Sequence, residues 1–129
     1  MSAPELALRW FGGAPYLWGG RTEWGVDCSG LVQAVYAARG VALPRDSDQQ
    51  STVGRAVTPS NAGTGYMVGD LLFFAERDRI SHVAMWAGNG RIVHATLSRG
   101  GVVSEELFAD MQRLERLRSQ LVAVRRVER

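Results

Sequence analysis

Residues 80–97 read ISHVAMWAGNGRIVHATL, and the pairing of this stretch with itself decides the fold and what it can do. Two strand-like runs, Ile80 to Ala87 and Arg91 to Leu97, flank Gly88-Asn89-Gly90. β-Branched and aromatic residues around an Asn-Gly pair signal a β-hairpin. The only two histidines of the chain, His82 and His94, sit on opposite arms. Loop length decides whether they meet, because a one-residue slip moves every side chain to the other face. A two-residue Asn89-Gly90 turn would set Met85 opposite His94 and separate the rings. A three-residue loop over Gly88 to Gly90, with Gly90 left-handed, would set Ala84 opposite His94 and Thr96 opposite His82. The histidines would then be diagonal neighbours on one face, about 7–8 Å apart at the backbone. The odd-length loop is the expectation.

Outward from the hairpin, Leu71 to Ala75, Gly101 to Val103 and Leu121 to Val127 also read as strands. Ser104 is expected to cap a last helix running to about Ser119. Upstream the period changes. Ser2-x-x-Glu5 with Pro4 marks a helix start, and Gly12-Gly13 its end. Pro15 to Val26 reads as a glycine-rich aromatic loop. Asp27 then caps a helix from about Cys28 to Arg39, whose Leu31, Val32, Val35 and Tyr36 make a buried face. Asp46 to Thr52 reads as a short helix, and Gly54 to Gly69 as an irregular connection. Helices first and a strand meander afterwards predict an α+β domain, its small sheet mostly antiparallel, spanning residues 1–129 as one unit.

Composition narrows the function. Hydrophobic residues at 46% and charged ones at 22% are ordinary globular values. The net charge is +2, and the 15 basic residues, all arginine, form no stripe or tail, so nucleic acid is not an expected partner. No apolar run reaches the roughly 18 residues of a transmembrane helix. The N-terminus shows no signal peptide, so the expectation is a cytoplasmic protein or a domain of a longer exported chain. A monomer is expected. One cysteine excludes an internal disulfide and a multi-cysteine zinc site.

That cysteine, Cys28, opens a helix directly after the glycine-rich loop. Unpaired N–H groups and the positive end of the helix dipole favour a thiolate there, while Asp27 opposes it, so a histidine partner is required. His82 is the candidate base, taking the Cys28 proton and later protonating the leaving amine. His94 would orient His82 through its other ring nitrogen. Tyr16 is a secondary candidate, either holding an oxyanion beside the Cys28 N–H or packing in the loop. Trp18 and Trp24 read as groove walls or core. Asp27 and Ser29 could meet a substrate amine, although capping suffices to explain them. Arg45 and Arg99 are candidate contacts for substrate carboxylates.

Pro15-Tyr16-Leu17-Trp18-Gly19-Gly20, Asp27-Cys28-Ser29-Gly30-Leu31-Val32, Leu43-Pro44-Arg45, Gln50, Gly69-Asp70-Leu71-Leu72-Phe73-Phe74, Ser81-His82-Val83-Ala84 and Ile92-Val93-His94-Ala95, in this order, resemble the NlpC family of bacterial cell-wall cysteine peptidases. The resemblance implies a papain-like fold with the cysteine helix packed on a small antiparallel sheet. It implies hydrolysis of peptidoglycan stem peptides, commonly between D-γ-glutamyl and a diamino acid such as meso-diaminopimelate, with no metal or organic cofactor. Cysteine, base, third polar residue and tyrosine carry over to Cys28, His82, His94 and Tyr16. In the branch that requires a free L-alanine at the substrate N-terminus, the matching aspartate and serine, here Asp27 and Ser29, contact that end. Ser98-Arg99-Gly100-Gly101-Val102 is similar to the same branch. Those enzymes complete the amine pocket from upstream SH3-like domains, which this chain lacks, so the resemblance implies a different specificity or a removed targeting domain. Two other readings stay open: an amidase or acyltransferase using the same thiol, and a non-catalytic wall-binding module.

Overall fold

The structure, a computed structural model, describes residues 1–128. Helix α1 (Ala3–Phe11) begins with the expected reciprocal cap: Ser2 Oγ accepts from the Glu5 N–H at 3.3 Å, and Glu5 Oε1 accepts from the Ser2 N–H at 3.2 Å. A two-stranded ribbon, β1 (Arg21–Thr22) and β2 (Gly25–Val26), folds the aromatic loop back on itself. Helix α2 (Cys28–Ala38) follows, capped by Asp27 Oδ1 accepting from the Gly30 N–H at 2.7 Å. The short helix α3 (Ser47–Gln50) is tied to α2 by the buried Gln50, whose amide donates to the Ser29 carbonyl at 3.1 Å.

Six strands form one antiparallel sheet: β3 (Arg55–Val57), β4 (Leu71–Glu76), β5 (Arg79–Gly88), β6 (Arg91–Thr96), β7 (Gly101–Glu106) and β8 (Leu121–Arg126), in the order β3-β8-β4-β5-β6-β7. The strand alternation buries two apolar layers. Leu71, Phe73, Val83, Met85, Val93 and Ala95 pack toward α1 and α2. Leu72, Phe74, Ala84, Trp86 and Ile92 face the other way, against Leu107 and Leu117. Leu117 belongs to α4 (Gln112–Ser119).

Three expectations need correction. Gly54 to Gly69 is not wholly irregular, since Arg55–Val57 forms an edge strand on β8. Three residues carry no readable period, and the pairing partner lies far along the chain. Ser104 does not cap a helix. The β6 ladder holds the chain extended as far as Glu106, and α4 starts only at Gln112. Ser104-Glu105-Glu106 has the composition of a capped first turn, but cross-strand pairing overrides that local preference. The hairpin is the third case. Gly88 pairs with Arg91, so the turn has two residues, Asn89 and Gly90, both at positive φ (54° and 75°). The expected register nevertheless holds, with Met85 opposite Val93. A β-bulge between Trp86 and Gly88 absorbs Ala87 and restores the parity that the even turn would have lost.

Candidate active site

The N-terminus of α2 is held against the aromatic loop by the sequence around Cys28. The Asp27 N–H donates to the Gly20 carbonyl at 3.2 Å, and the Gly19 N–H donates to Asp27 Oδ2 at 2.9 Å. A Cβ on Gly30 would collide with the Gly20 carbonyl oxygen, so only glycine allows this approach. Cys28 is the first residue of α2, 7% exposed. Its Sγ lies 3.9 Å from the Ser81 carbonyl. The β5–β6 ladder ends at Met85–Val93, and the thiol sits against the part of β5 beyond that point, from Ser81 to Val83. Burial pushes the thiol up from its ordinary value; the Val83 N–H opposes this and Asp27 adds to it.

His82 follows Ser81 on β5; its Nε2 lies 2.7 Å from His94 Nδ1, the rings edge to face at 4.9 Å, and among the described residues the Cys28 thiol is hydrogen-bonded to the Ser81 carbonyl and not to His82. His82 thus keeps Nδ1 as its remaining ring nitrogen. Burial holds the His82 imidazole well below its ordinary value, and His94 adds to that shift while Glu105 opposes it. His94 is buried, and its Nε2 lies 2.7 Å from Glu105 Oε2. Glu105 is 5% exposed and also accepts from Arg99 Nη1 at 3.0 Å and from both terminal nitrogens of Arg113. Its burial alone would raise its carboxyl, but the hydrogen bonds from His94 and Arg113 bring it down to about 2.

Two grooves meet at Tyr16 and Ser81. One, of about 480 Å³, is walled by Trp18, Asp27, Cys28 and Ser29. The other, of about 310 Å³, is walled by His82, His94, Glu76, Arg113 and Arg116. Tyr16 lines both grooves, and burial followed by the Cys28 charge raises its phenol. Trp18 is a groove wall rather than core, at 86% exposed. A larger cavity, about 680 Å³, lies elsewhere, near Met67, Asp70 and Arg126; its walls hold no nucleophile and are cross-linked by the Arg39–Glu128 and Arg126–Asp70 ion pairs. Among the described residues no group of three or more His, Cys, Asp or Glu side chains is arranged to hold a metal ion.

The expected substrate contacts are partly engaged with one another. Arg45 donates to Asp27 Oδ2 and to Ser29 Oγ, each at 2.9 Å. Burial would raise the Asp27 carboxyl, but Arg45 and the Gly30 and Gly19 amides hold it below its ordinary value. Arg99, half exposed, spends one guanidinium nitrogen on Glu105. Glu105 and Arg113 are additions to the expected site. The signal for Glu105 was available: once Gly101-Val102-Val103-Ser104-Glu105 is read as a strand pairing with the second histidine arm, alternation puts Glu105 on the His94 side. Arg113 has no such signal, because it reaches Glu105 from the first turn of α4, which begins at Gln112 and is separate from the strand.

The model of the NlpC/P60 family matches residues 13–121. A gamma-D-glutamyl-L-lysine dipeptidyl-peptidase of Bacillus cereus is 40% identical over 88 residues, 66% of this chain and 25% of that protein. The murein DD-endopeptidase MepS/murein LD-carboxypeptidase of Escherichia coli is 39% identical over 93 residues, 71% of this chain and 47% of that protein. The chain thus spans a quarter to about half the length of these relatives. The crystal structure of an NlpC/P60 family protein from Bacillus cereus superposes with a TM-score of 0.77 at 28% identity, over 96% of this chain and 40% of that one. With a family match running from the loop before Tyr16 to the start of β8, and with this fold, the chain belongs to the NlpC/P60 family.

Proposed function

We propose that this chain is the catalytic domain of a cysteine peptidase that hydrolyses the D-γ-glutamyl–diamino acid bond of peptidoglycan stem peptides. The observation that carries the reading is the 2.7 Å contact between His82 and His94, on the strand whose first residues hold the Cys28 thiol. Cys28 Sγ attacks the γ-carbonyl carbon as His82 Nδ1 takes the thiol proton. The backbone N–H of Cys28 and the Tyr16 hydroxyl stabilise the oxyanion in this reading. His82 then protonates the departing amine, leaving a thioester. Water attacks it with His82 again as base, and the thiol is regenerated with a carboxylate product.

The two grooves divide the substrate. The leaving amine must lie near His82, so the diamino acid occupies the groove with His82, Glu76 and Arg116, and the glutamyl side occupies the groove with Cys28, Asp27 and Ser29. The side chains of Glu76 and Arg116 form no ion pair among the described residues. One anion and one cation suit the distal amino and carboxylate groups of diaminopimelate better than the lone ammonium of lysine. On the acyl side, Arg45 already compensates Asp27, which supports cleavage without a free substrate N-terminus. Mass spectrometry of products from L-Ala-γ-D-Glu-diaminopimelate, free and N-acetylated, tests the reading. Release of diaminopimelate from both is expected, and release from neither by folded protein would exclude the assignment.

A further inference from the structure

The proton arrangement of the site is set from its buried end. We infer that Glu105 is a positioning residue whose carboxylate dictates which nitrogen of His82 carries the proton. The inference rests on the reading of Cys28 and His82 as nucleophile and base. An ionised carboxylate can only accept hydrogen bonds, so a His94 ring carrying a single proton holds it on Nε2, 2.7 Å from Glu105 Oε2. His94 Nδ1 is then bare and can only accept. The neighbouring His82 Nε2, 2.7 Å away, must donate to it. That leaves His82 Nδ1 bare, the state required to take the thiol proton.

Two features separate this role from a simple buried ion pair. Glu105 stays ionised although it is buried, with its carboxyl held at about 2. Its two oxygens are used unequally. Oε1 takes two guanidinium nitrogens, Arg99 Nη1 and Arg113 Nη2, while Oε2 takes one, Arg113 Nη1 at 3.2 Å, and faces His94 Nε2. The arginines therefore define which end of the group meets His94. Their placement makes the test sharp. In Glu105→Gln the carbonyl oxygen is drawn to the Oε1 position, which two guanidinium nitrogens face against one at Oε2, and the amide NH2 lands against His94 Nε2. Each donor–acceptor relationship along the chain then reverses, and His82 Nδ1 carries a proton where a bare nitrogen is needed.

The experiment is nitrogen-15 NMR of histidine-labelled full chain at neutral pH, wild type against Glu105→Gln and Glu105→Asp, together with kcat and KM on the tripeptide. Wild type is expected to show a protonated Nε2 and a bare Nδ1 on His82. Glu105→Gln is expected to show the reverse, with kcat lowered about 10²- to 10⁴-fold and KM changed less than about threefold. Glu105→Asp keeps an acceptor-only group and is expected to keep the wild-type tautomer and recover at least about tenfold of the lost kcat. A folded Glu105→Gln variant that loses activity with the wild-type tautomer intact would overturn the inference and leave a structural role. If that variant does not fold, the wild-type spectrum decides: a bare Nε2 on His82 is the contrary result. The tautomer readout needs no substrate, so a failed peptidase assignment is distinguishable from a failed role for Glu105.

Discussion

His82 Nε2 and His94 Nδ1 lie 2.7 Å apart although a two-residue turn joins their strands. That turn alone would put the rings on opposite faces of the sheet. The bulge at Ala87 is what lets Asn89-Gly90 make its favoured tight turn and still leave both imidazoles on one side.

Ala87 is consequently a spare residue in the ladder. Its deletion is expected to leave a regular hairpin with Trp86 still opposite Ile92 and the histidines still paired. The deletion variant should fold and keep kcat/KM within about tenfold of wild type. A folded variant whose activity falls by more than about a thousandfold would contradict this view of the bulge.

The two histidines contribute differently. His82→Ala removes the base and should lower kcat about 10³-fold or more, whereas His94→Ala leaves a base without its partner and should cost about 10²-fold. Steady-state kinetics on the tripeptide separate the two, and equal losses within error would argue against an orienting role for His94.

The pH dependence of kcat/KM should lack the usual imidazole limb. His82 titrates below its ordinary 6.5 and Cys28 above its ordinary 9.0, so the thiol and imidazole remain a neutral pair across the interval. Activity is expected to be flat through pH 6–7. A limb at about 6.5 would show that His82 is not depressed.

Stability follows with a definite sign. His82 is lowered, so its contribution is complete above 6.5 and declines as pH falls below it, because the unfolded chain protonates first. Glu105, lowered to about 2 from 4.5, contributes fully above 4.5 and loses that contribution between 4.5 and about 2. Thermal melting should show a falling Tm through both windows, and Glu105→Gln should flatten the lower one. An unchanged slope in that variant would remove Glu105 as a source.

Specificity is expected to split between the grooves. Arg116→Gln should raise KM for the diaminopimelate substrate about three- to tenfold and leave a lysine analogue nearly unaffected. Arg45→Ala uncovers Asp27, and should create a preference for the free over the N-acetylated tripeptide that wild type lacks. Equal effects of Arg116→Gln on both substrates would place the distal group elsewhere.

Much of the site was legible because its chemistry is concentrated in few residues. Cys28 at a capped helix start, and two histidines on one hairpin, leave little freedom once the helix and strands are assigned. The register was legible for the same reason, but the device that produces it was not: a bulge and a longer loop satisfy the same parity, and only the coordinates show that Gly88 pairs with Arg91. Glu105 was hidden by its own composition. A Ser-Glu-Glu run reads as a helix start until β6 claims it as a strand. The Arg45–Asp27 contact carries no sequence signal, because the two residues lie 18 positions apart.

The most direct measurement compares wild type with Cys28→Ala on L-Ala-γ-D-Glu-diaminopimelate, following both products by mass spectrometry while circular dichroism confirms that each protein is folded. Wild type is expected to release diaminopimelate and L-Ala-γ-D-Glu in equal amounts, and Cys28→Ala to release neither. Hydrolysis by Cys28→Ala at the wild-type rate would contradict the thiol as nucleophile.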